Sequence, residues 1–130
     1  MGKREIPSYV ARYGATLAYI GHGWVCHYCH IPLKRGSFID EPQFLKEGYG
    51  LATVDHRIPL IHGGLTEFDN LCLCCRQCNL EKDYQEYSQF YASKAGARAY
   101  QEKLKKRGLA RNPTQLRRYS KKNGKYAGKP

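Results

Sequence analysis

Two pairs of cysteines stand out in this sequence, because each pair has the spacing with which thiolates hold one metal ion. The first pair is Cys26 and Cys29 in "CHYCH", and the second is Cys75 and Cys78 in "CRQC". Together they supply four thiolates, the ligand set of a closed tetrahedral structural zinc site. Such a site has no open coordination position, so we expect one architectural zinc ion per chain. Zinc of this kind supplies on the order of 10 kcal/mol of folding free energy in zinc-finger peptides.

The same letters allow other interpretations. "CHYCH", which ends at His30, also has the spacing of covalent c-type haem attachment. The first residues, however, lack the apolar run and cleavage site of a secretory signal, and this attachment takes place outside the cytosol. "LCLCC" also pairs Cys72 with Cys75. We favour Cys75 with Cys78, because this pair straddles a predicted strand–helix junction. Cys72 and Cys74 share one face of a strand and are expected to be small core residues.

The stretch between the cysteine pairs resembles a known family. "TVDHRIPLIHGGLTEFDNLCLCCRQCN" contains Asp55-His56, then Asn70, then Asn79 directly after the last cysteine. In this order, with "CHYCHIPL" upstream, these residues resemble the zinc-bearing branch of the HNH endonucleases. The resemblance covers residues 24–82, and Asn79 stands where the family has histidine, an HNN variant. It implies the small ββα-metal core of that family. We therefore predict an α+β fold in which this core, with a four-cysteine zinc site, is flanked by an N-terminal helix and C-terminal helices.

The polar residues of this stretch have the chemistry that phosphodiester hydrolysis needs, which is an activated water, a cation at the phosphate and stabilisation of the leaving oxygen. His56 is the predicted general base, because an unperturbed pKa of about 6.5 suits proton abstraction at neutral pH. Asp55 offers a hard oxygen ligand for Mg²⁺ or Mn²⁺, and the Asn79 amide oxygen completes a one-metal site. The resemblance gives Asn70 a positioning role, in which its amide bonds backbone across a loop and holds His56. It implies a metal-dependent DNA endonuclease that leaves 5′-phosphate and 3′-hydroxyl ends.

These residues need strands, a loop and helices to position them. "LATVDHRIPL" has the β-branched and apolar content of a strand that stops at the proline, "IHGGLTEFD" is a predicted loop, and "NLCLC" alternates as a second strand. We expect a helix from Arg76 to about Ser93 and a further one over 95–107. Apolar spacings predict an earlier helix that ends at Gly21. The segment 35–50 has no clear period and is predicted to be a loop.

The charge of the chain indicates a polyanion as partner. The net charge is +11, and residues 108–130 hold seven Lys or Arg and no Asp or Glu. We predict a single nuclease domain over 1–107, with its core at about 24–92, and a basic, flexible tail over 108–130. DNA phosphates are expected to contact basic residues near the site and in the tail, namely Arg57, Arg76, Lys82, Arg117, Arg118, Lys121 and Lys122.

No stretch approaches the ~20 apolar residues of a membrane span, so no membrane partner is expected and the predicted location is the cytoplasm, in a bacterial or phage setting. The target DNA could be duplex, branched or nicked. Double-strand cutting would need two active sites, as in a homodimer. The alternative function is a non-catalytic, zinc-ribbon-like module that binds nucleic acid. Asp55, His56 and Asn79 argue against this alternative, because binding alone does not need all three.

Overall fold

The computed structural model describes residues 7–21 and 23–108 of the chain. The described part has a mixed α+β architecture, as the sequence predicts, and within it no helix is both long and apolar enough to cross a bilayer. In chain order, the elements are α1 Pro7–Ile20, β1 Leu33–Lys34, α2 Glu41–Lys46, β2 Gly50–His56, β3 Leu71–Cys75, α3 Arg76–Lys82, α4 Tyr87–Ser93 and α5 Ala95–Lys106.

A three-stranded sheet in the order β1–β2–β3 lies at the centre of the fold. β2 pairs in parallel with the short β1 and antiparallel with β3, in a register that places Asp55 opposite Cys72. β3 leads directly into α3 at Cys75, whose sulfur accepts the backbone N–H of Cys78 and caps the helix. β2, β3 and α3 therefore form the ββα unit that the resemblance implies.

Neighbouring residues of β2 point to opposite faces of the sheet, and a helix covers each face. On one face, Asn79 of α3 bonds the hydroxyl of Thr53. On the other, the ring of Tyr9 in α1 lies 5.8 Å from the ring of His56. Every residue of β3 is buried, and Cys74 has no exposed surface. The expectation that Cys72 and Cys74 are small core residues is confirmed.

Two predicted elements differ in the structure. The helix expected over 76–93 is broken, because Asp83 adopts a left-handed conformation with φ of +48° and ends α3. A new helix starts at Tyr87, where the Glu86 carboxylate caps the N–H of Gln89. The predicted loop at 35–50 contains α2, whose six residues are too few to show a period and whose first turn accommodates a proline.

Candidate active site

The four predicted zinc ligands meet in one cluster. The sulfur atoms of Cys26, Cys29, Cys75 and Cys78 all lie within 4.8 Å of one another. In each pair the second cysteine donates its backbone N–H to the first sulfur, at 3.4 Å. Cys72 lies outside this cluster. The arrangement has the ligand set and closeness of a tetrahedral metal site, and it can hold a metal ion.

The pKa values of the clustered thiols also indicate that the cluster can hold a metal ion. Burial opposes ionisation of Cys26, but hydrogen bonds from the other three thiols outweigh it and lower its pKa. Hydrogen bonding to Cys26 and Cys29 raises the pKa of Cys75 and Cys78. One negative charge on the cluster therefore disfavours the next. All four sulfurs can be thiolates together only when a cation compensates their charge.

His30, the residue behind the haem interpretation, does not belong to the cluster. Its backbone is left-handed, with φ of +68°, and its Nδ1 lies 3.1 Å from the Glu102 carboxylate on α5. Both thiols of "CHYCH" are already part of the four-sulfur cluster. This arrangement argues against the haem interpretation.

Asp55 sits at the end of β2 in a buried ion pair. It is only 2% exposed. Its Oδ2 accepts a hydrogen bond from the Tyr28 hydroxyl at 2.8 Å and lies 3.2 Å from Nζ of Lys82. Lys82 has no exposed surface, and its ammonium also donates to the backbone oxygen of His56 at 3.2 Å. Asp55 is thus held by two donors that lie far from it in sequence.

The Tyr28 hydroxyl has one defined hydrogen-bond donor and one defined acceptor. Burial, followed by the charge of Asp55, raises the pKa of Cys72 to about 12, so this thiol stays protonated and donates to Tyr28 Oη at 3.6 Å. Burial also raises the pKa of Tyr28 well above its usual range. Tyr28 therefore remains a neutral hydroxyl that accepts from Cys72 and donates to Asp55. Tyr28 was missed at the sequence level, although its position between two cysteines of the cluster was a usable signal.

Asn79 carries an unsatisfied oxygen. The residue is 8% exposed, and its Nδ2 donates to Thr53 Oγ1 at 3.0 Å and to the Val54 carbonyl at 3.4 Å. Its Oδ1 is buried and has no hydrogen-bond partner among the described residues. An amide oxygen in this state costs about 1–3 kcal/mol, and coordination of a hard cation removes that cost. Because Thr53 and Asp55 share one face of β2, the Asn79 amide and the Asp55 carboxylate lie on the same side of the sheet.

His56 points to the opposite face of β2 and is half-buried. Its Nε2 lies 2.9 Å from the hydroxyl of Thr66, in the loop between β2 and β3. This hydroxyl and the Tyr9 ring on α1 fix the imidazole plane. Thr66 was missed at the sequence level, because nothing in a polar loop marks which hydroxyl will meet a ring ten residues away.

Asn70 ties the two ends of the loop together. Its Oδ1 accepts the N–H of Ile58 at 2.9 Å, and its Nδ2 donates to the carbonyls of Ile58 at 3.1 Å and Leu65 at 2.9 Å. Its backbone oxygen accepts the N–H of Arg57 at 2.7 Å. These bonds fix the chain directly after His56. They use both functions of the amide, as a donor and as an acceptor.

Gly64 is required for this loop closure, which gives a testable prediction. A Cβ at Gly64 would lie 1.8 Å from the carbonyl oxygen of Ile58 and 2.9 Å from Nδ2 of Asn70. We expect Gly64→Ala to lower the free energy of unfolding by about 2–3 kcal/mol, because backbone must shift and the Asn70 bonds must break. Urea denaturation measures this loss.

Gly96→Ala is the matched control for that measurement. An added Cβ at Gly96, in α5, meets nothing within 4 Å, and alanine favours helices over glycine by up to about 1 kcal/mol. The control should therefore unfold at the same or a higher urea concentration than the wild type. Equal midpoints for the two variants would contradict the role given to Gly64.

The structure does not place all of the basic residues near the site where they could make the predicted phosphate contacts. Lys82 is a correction, because it has no exposed surface and its ammonium is bonded to Asp55 and His56. Arg76 is only partly exposed and forms an ion pair with Glu41 at 2.9 Å. Arg57 stacks its guanidinium over the Tyr87 ring at 5.5 Å. The predicted tail contacts lie outside the described residues, namely Arg117, Arg118, Lys121 and Lys122.

The fold and the site together define a ββα-metal domain with a four-cysteine cluster at its base. A comparison with protein families agrees with this class: the model of the HNH endonuclease family matches residues 26–85, from the first cysteine of the cluster to just beyond α3. This segment belongs to the HNH endonuclease family. No curated protein matches the chain. Members of the family are in general nucleases that act on nucleic acids.

Proposed function

We propose that the protein is a metal-dependent DNA endonuclease in which Asp55 and Asn79 hold one Mg²⁺ or Mn²⁺ ion and His56 is the general base. The observation that carries the proposal is the buried, unpaired Oδ1 of Asn79 on the same side of the sheet as the Asp55 carboxylate. Both are hard oxygen donors, which suit these cations. When bound, the cation supplies charge stabilisation at the scissile phosphate and the leaving oxygen.

The residues of the chain perform the remaining work. β2 ends at His56, so His56 and Asp55 flank one cleft at the end of the strand although their side chains leave it on opposite faces. There His56 accepts the proton of the attacking water, and the Thr66 hydroxyl orients its ring. Asn70 fixes the backbone that follows His56. Hydrolysis that breaks the bond to the 3′ oxygen leaves a 3′-hydroxyl and a 5′-phosphate.

We further propose that the cysteine cluster holds a structural zinc ion. Four thiolates fill a tetrahedral site and leave no position for substrate, so the ion is architectural. Its ligands join the turn at 26–29 to the start of α3, and Cys78 directly precedes Asn79. The zinc would thereby fix the helix that presents the Asn79 amide to the sheet.

Nicking of supercoiled plasmid tests the proposed function. Zinc-loaded protein should convert supercoiled DNA to the nicked form with Mg²⁺ or Mn²⁺ and stay inactive without a divalent cation. Asn79→Ala should remove this activity, whereas Gln77→Ala, at an exposed position of the same helix, should not. Absence of nicking with every divalent cation, together with retained DNA binding, would favour the non-catalytic binding module. Equal nicking by Asn79→Ala and wild type would contradict the metal site.

Residues 109–130 hold seven Lys or Arg and no acidic residue, and we propose that they contact DNA phosphates. Deleting them should weaken binding to duplex DNA and reduce the slope of log K against log salt by up to about 6, because each neutralised phosphate contributes about 0.9. Fluorescence polarisation over a range of NaCl concentrations measures both effects. Zinc content should not change. An unaltered slope would show that these charges do not contact DNA.

A further inference from the structure

Asp55, the proposed cation ligand, forms a buried ion pair with Lys82. Lys82 is the largest charged side chain with no exposed surface among the described residues, and it belongs to the same helix face as Asn79. Its ammonium lies 3.2 Å from Asp55 Oδ2 and 3.2 Å from the carbonyl oxygen of His56. One side chain therefore bridges the proposed metal-ligand carboxylate and the backbone of the proposed base.

We propose that Lys82 is a positioning residue that acts as an internal counter-cation: it neutralises Asp55 before a divalent cation binds and thereby weakens and sets the affinity of the site for that cation. The inference rests on the proposed function. It replaces the phosphate contact that the sequence suggested for Lys82.

Burial explains why a counter-cation is needed. A carboxylate as enclosed as Asp55 cannot be compensated by water, and charges in such places are stable only when they are paired. Lys82 supplies this pairing with a compact ammonium, and the Tyr28 hydroxyl adds a hydrogen bond at 2.8 Å to the same oxygen. Two donors therefore hold the Asp55 carboxylate in a defined geometry.

Both donors are themselves fixed by the scaffold. Tyr28 lies between Cys26 and Cys29, its ring packs 5.0 Å from that of Phe90, and its backbone oxygen accepts a hydrogen bond from Arg98 at 2.9 Å. Lys82 closes the last turn of α3, directly before the left-handed Asp83. Both donors therefore extend from anchored backbone.

The positive charge of Lys82, 3.2 Å from Asp55 Oδ2, should repel a divalent cation that approaches the carboxylate. Removing the charge should therefore strengthen cation binding. A merely structural role for Lys82 predicts the opposite, because a loosened site binds more weakly. The sign of the change in affinity separates the two roles.

The test measures Mn²⁺ binding to the full, zinc-loaded chain without DNA, by electron paramagnetic resonance of free Mn²⁺. Lys82→Met, which keeps the length of the side chain without its charge, should bind Mn²⁺ about tenfold more tightly than the wild type. Lys82→Gln, which keeps a hydrogen-bond donor, should change in the same direction. Lys46→Met, at an exposed position of α2, controls for net charge and should leave the affinity unchanged. Unchanged or weaker binding by both Lys82 variants would overturn the inference.

Thermal melting keeps the test decisive if the variants fold poorly. Mn²⁺ should raise the melting temperature of Lys82→Met and Lys82→Gln more than that of the wild type, because the ion replaces the lost charge. Variants that stay unfolded with Mn²⁺ would overturn the inference.

Asn79→Ala separates this outcome from failure of the proposed function. If wild type and Asn79→Ala bind Mn²⁺ equally, or neither binds it, the proposed function fails. If only Asn79→Ala loses binding while the Lys82 variants match the wild type, only the inference on Lys82 fails.

Discussion

Replacing His56 with alanine is expected to lower the rate of plasmid nicking by about 10³-fold, within the range of about 10²–10⁴ that a positioned general base contributes. The imidazole lies at the end of β2, with its Nε2 2.9 Å from the Thr66 hydroxyl. Alanine removes the proton acceptor and leaves the backbone that Asn70 and Lys82 hold. The rate of conversion of supercoiled to nicked DNA, at saturating Mg²⁺, measures the loss.

His62→Ala is the matched control for this prediction. His62 is exposed in the connection between β2 and β3, six residues after His56. Its replacement should change the nicking rate by less than about twofold. Both variants should keep the zinc content and the Mn²⁺ affinity of the wild type, because neither residue belongs to the cluster or to the proposed cation site. A His56→Ala variant as active as His62→Ala would rule out His56 as the base.

The features that sequence analysis predicted well depend on spacing along the chain. A pair of cysteines three residues apart forms the same local turn in many contexts, so the four-sulfur cluster followed from the letters alone. The strand before the proline and the strand before the second cysteine pair also followed from local composition.

The features that were missed depend on contacts between distant residues. The spacing from Asn79 to Lys82 correctly placed both on one face of α3, and on that basis Lys82 was expected to meet DNA phosphates. Whether that face is exposed to solvent or packs on the sheet depends on Asp55, far earlier in the chain. The Asp55 carboxylate forms an ion pair with the Lys82 ammonium. Tyr28 is equally far from Asp55 on the other side. No local pattern contains these pairings, so their charge and burial could not be predicted.

The break between α3 and α4 has a related cause. The residues of 76–93 have helical spacings, which support one long helix. Asp83 turns the chain instead, and Glu86 caps a second helix whose Phe90 is buried against Tyr28. With the break in place, Asn79 bonds Thr53 of β2 and Phe90 packs against Tyr28 of the cysteine turn. Tertiary packing therefore overrode the local period.

The largest loss of stability is expected from Cys75→Ala. If the cluster holds zinc, losing one of four ligands removes most of a metal-binding free energy on the order of 10 kcal/mol, which equals the whole stability of a typical domain, about 5–15 kcal/mol. We expect this variant to contain little zinc and to be largely unfolded at 25 °C. Elemental analysis and circular dichroism measure the two quantities.

Cys74→Ala tests whether the loss is specific to the cluster. Cys74 neighbours Cys75 in β3 and is at least as buried, but its sulfur contacts the Thr53 hydroxyl and lies outside the cluster. Removing it should cost only about 1–2 kcal/mol, as for a small cavity, and should leave one zinc per chain. Equal melting temperatures for the two variants would show that the cluster contributes no more than ordinary core packing.

Because Cys78 precedes Asn79 and Tyr28 lies between the other two ligands, loss of the cluster should also release both sides of the proposed cation site. Cys75→Ala should therefore lose Mn²⁺ binding together with zinc, whereas Cys74→Ala should keep both.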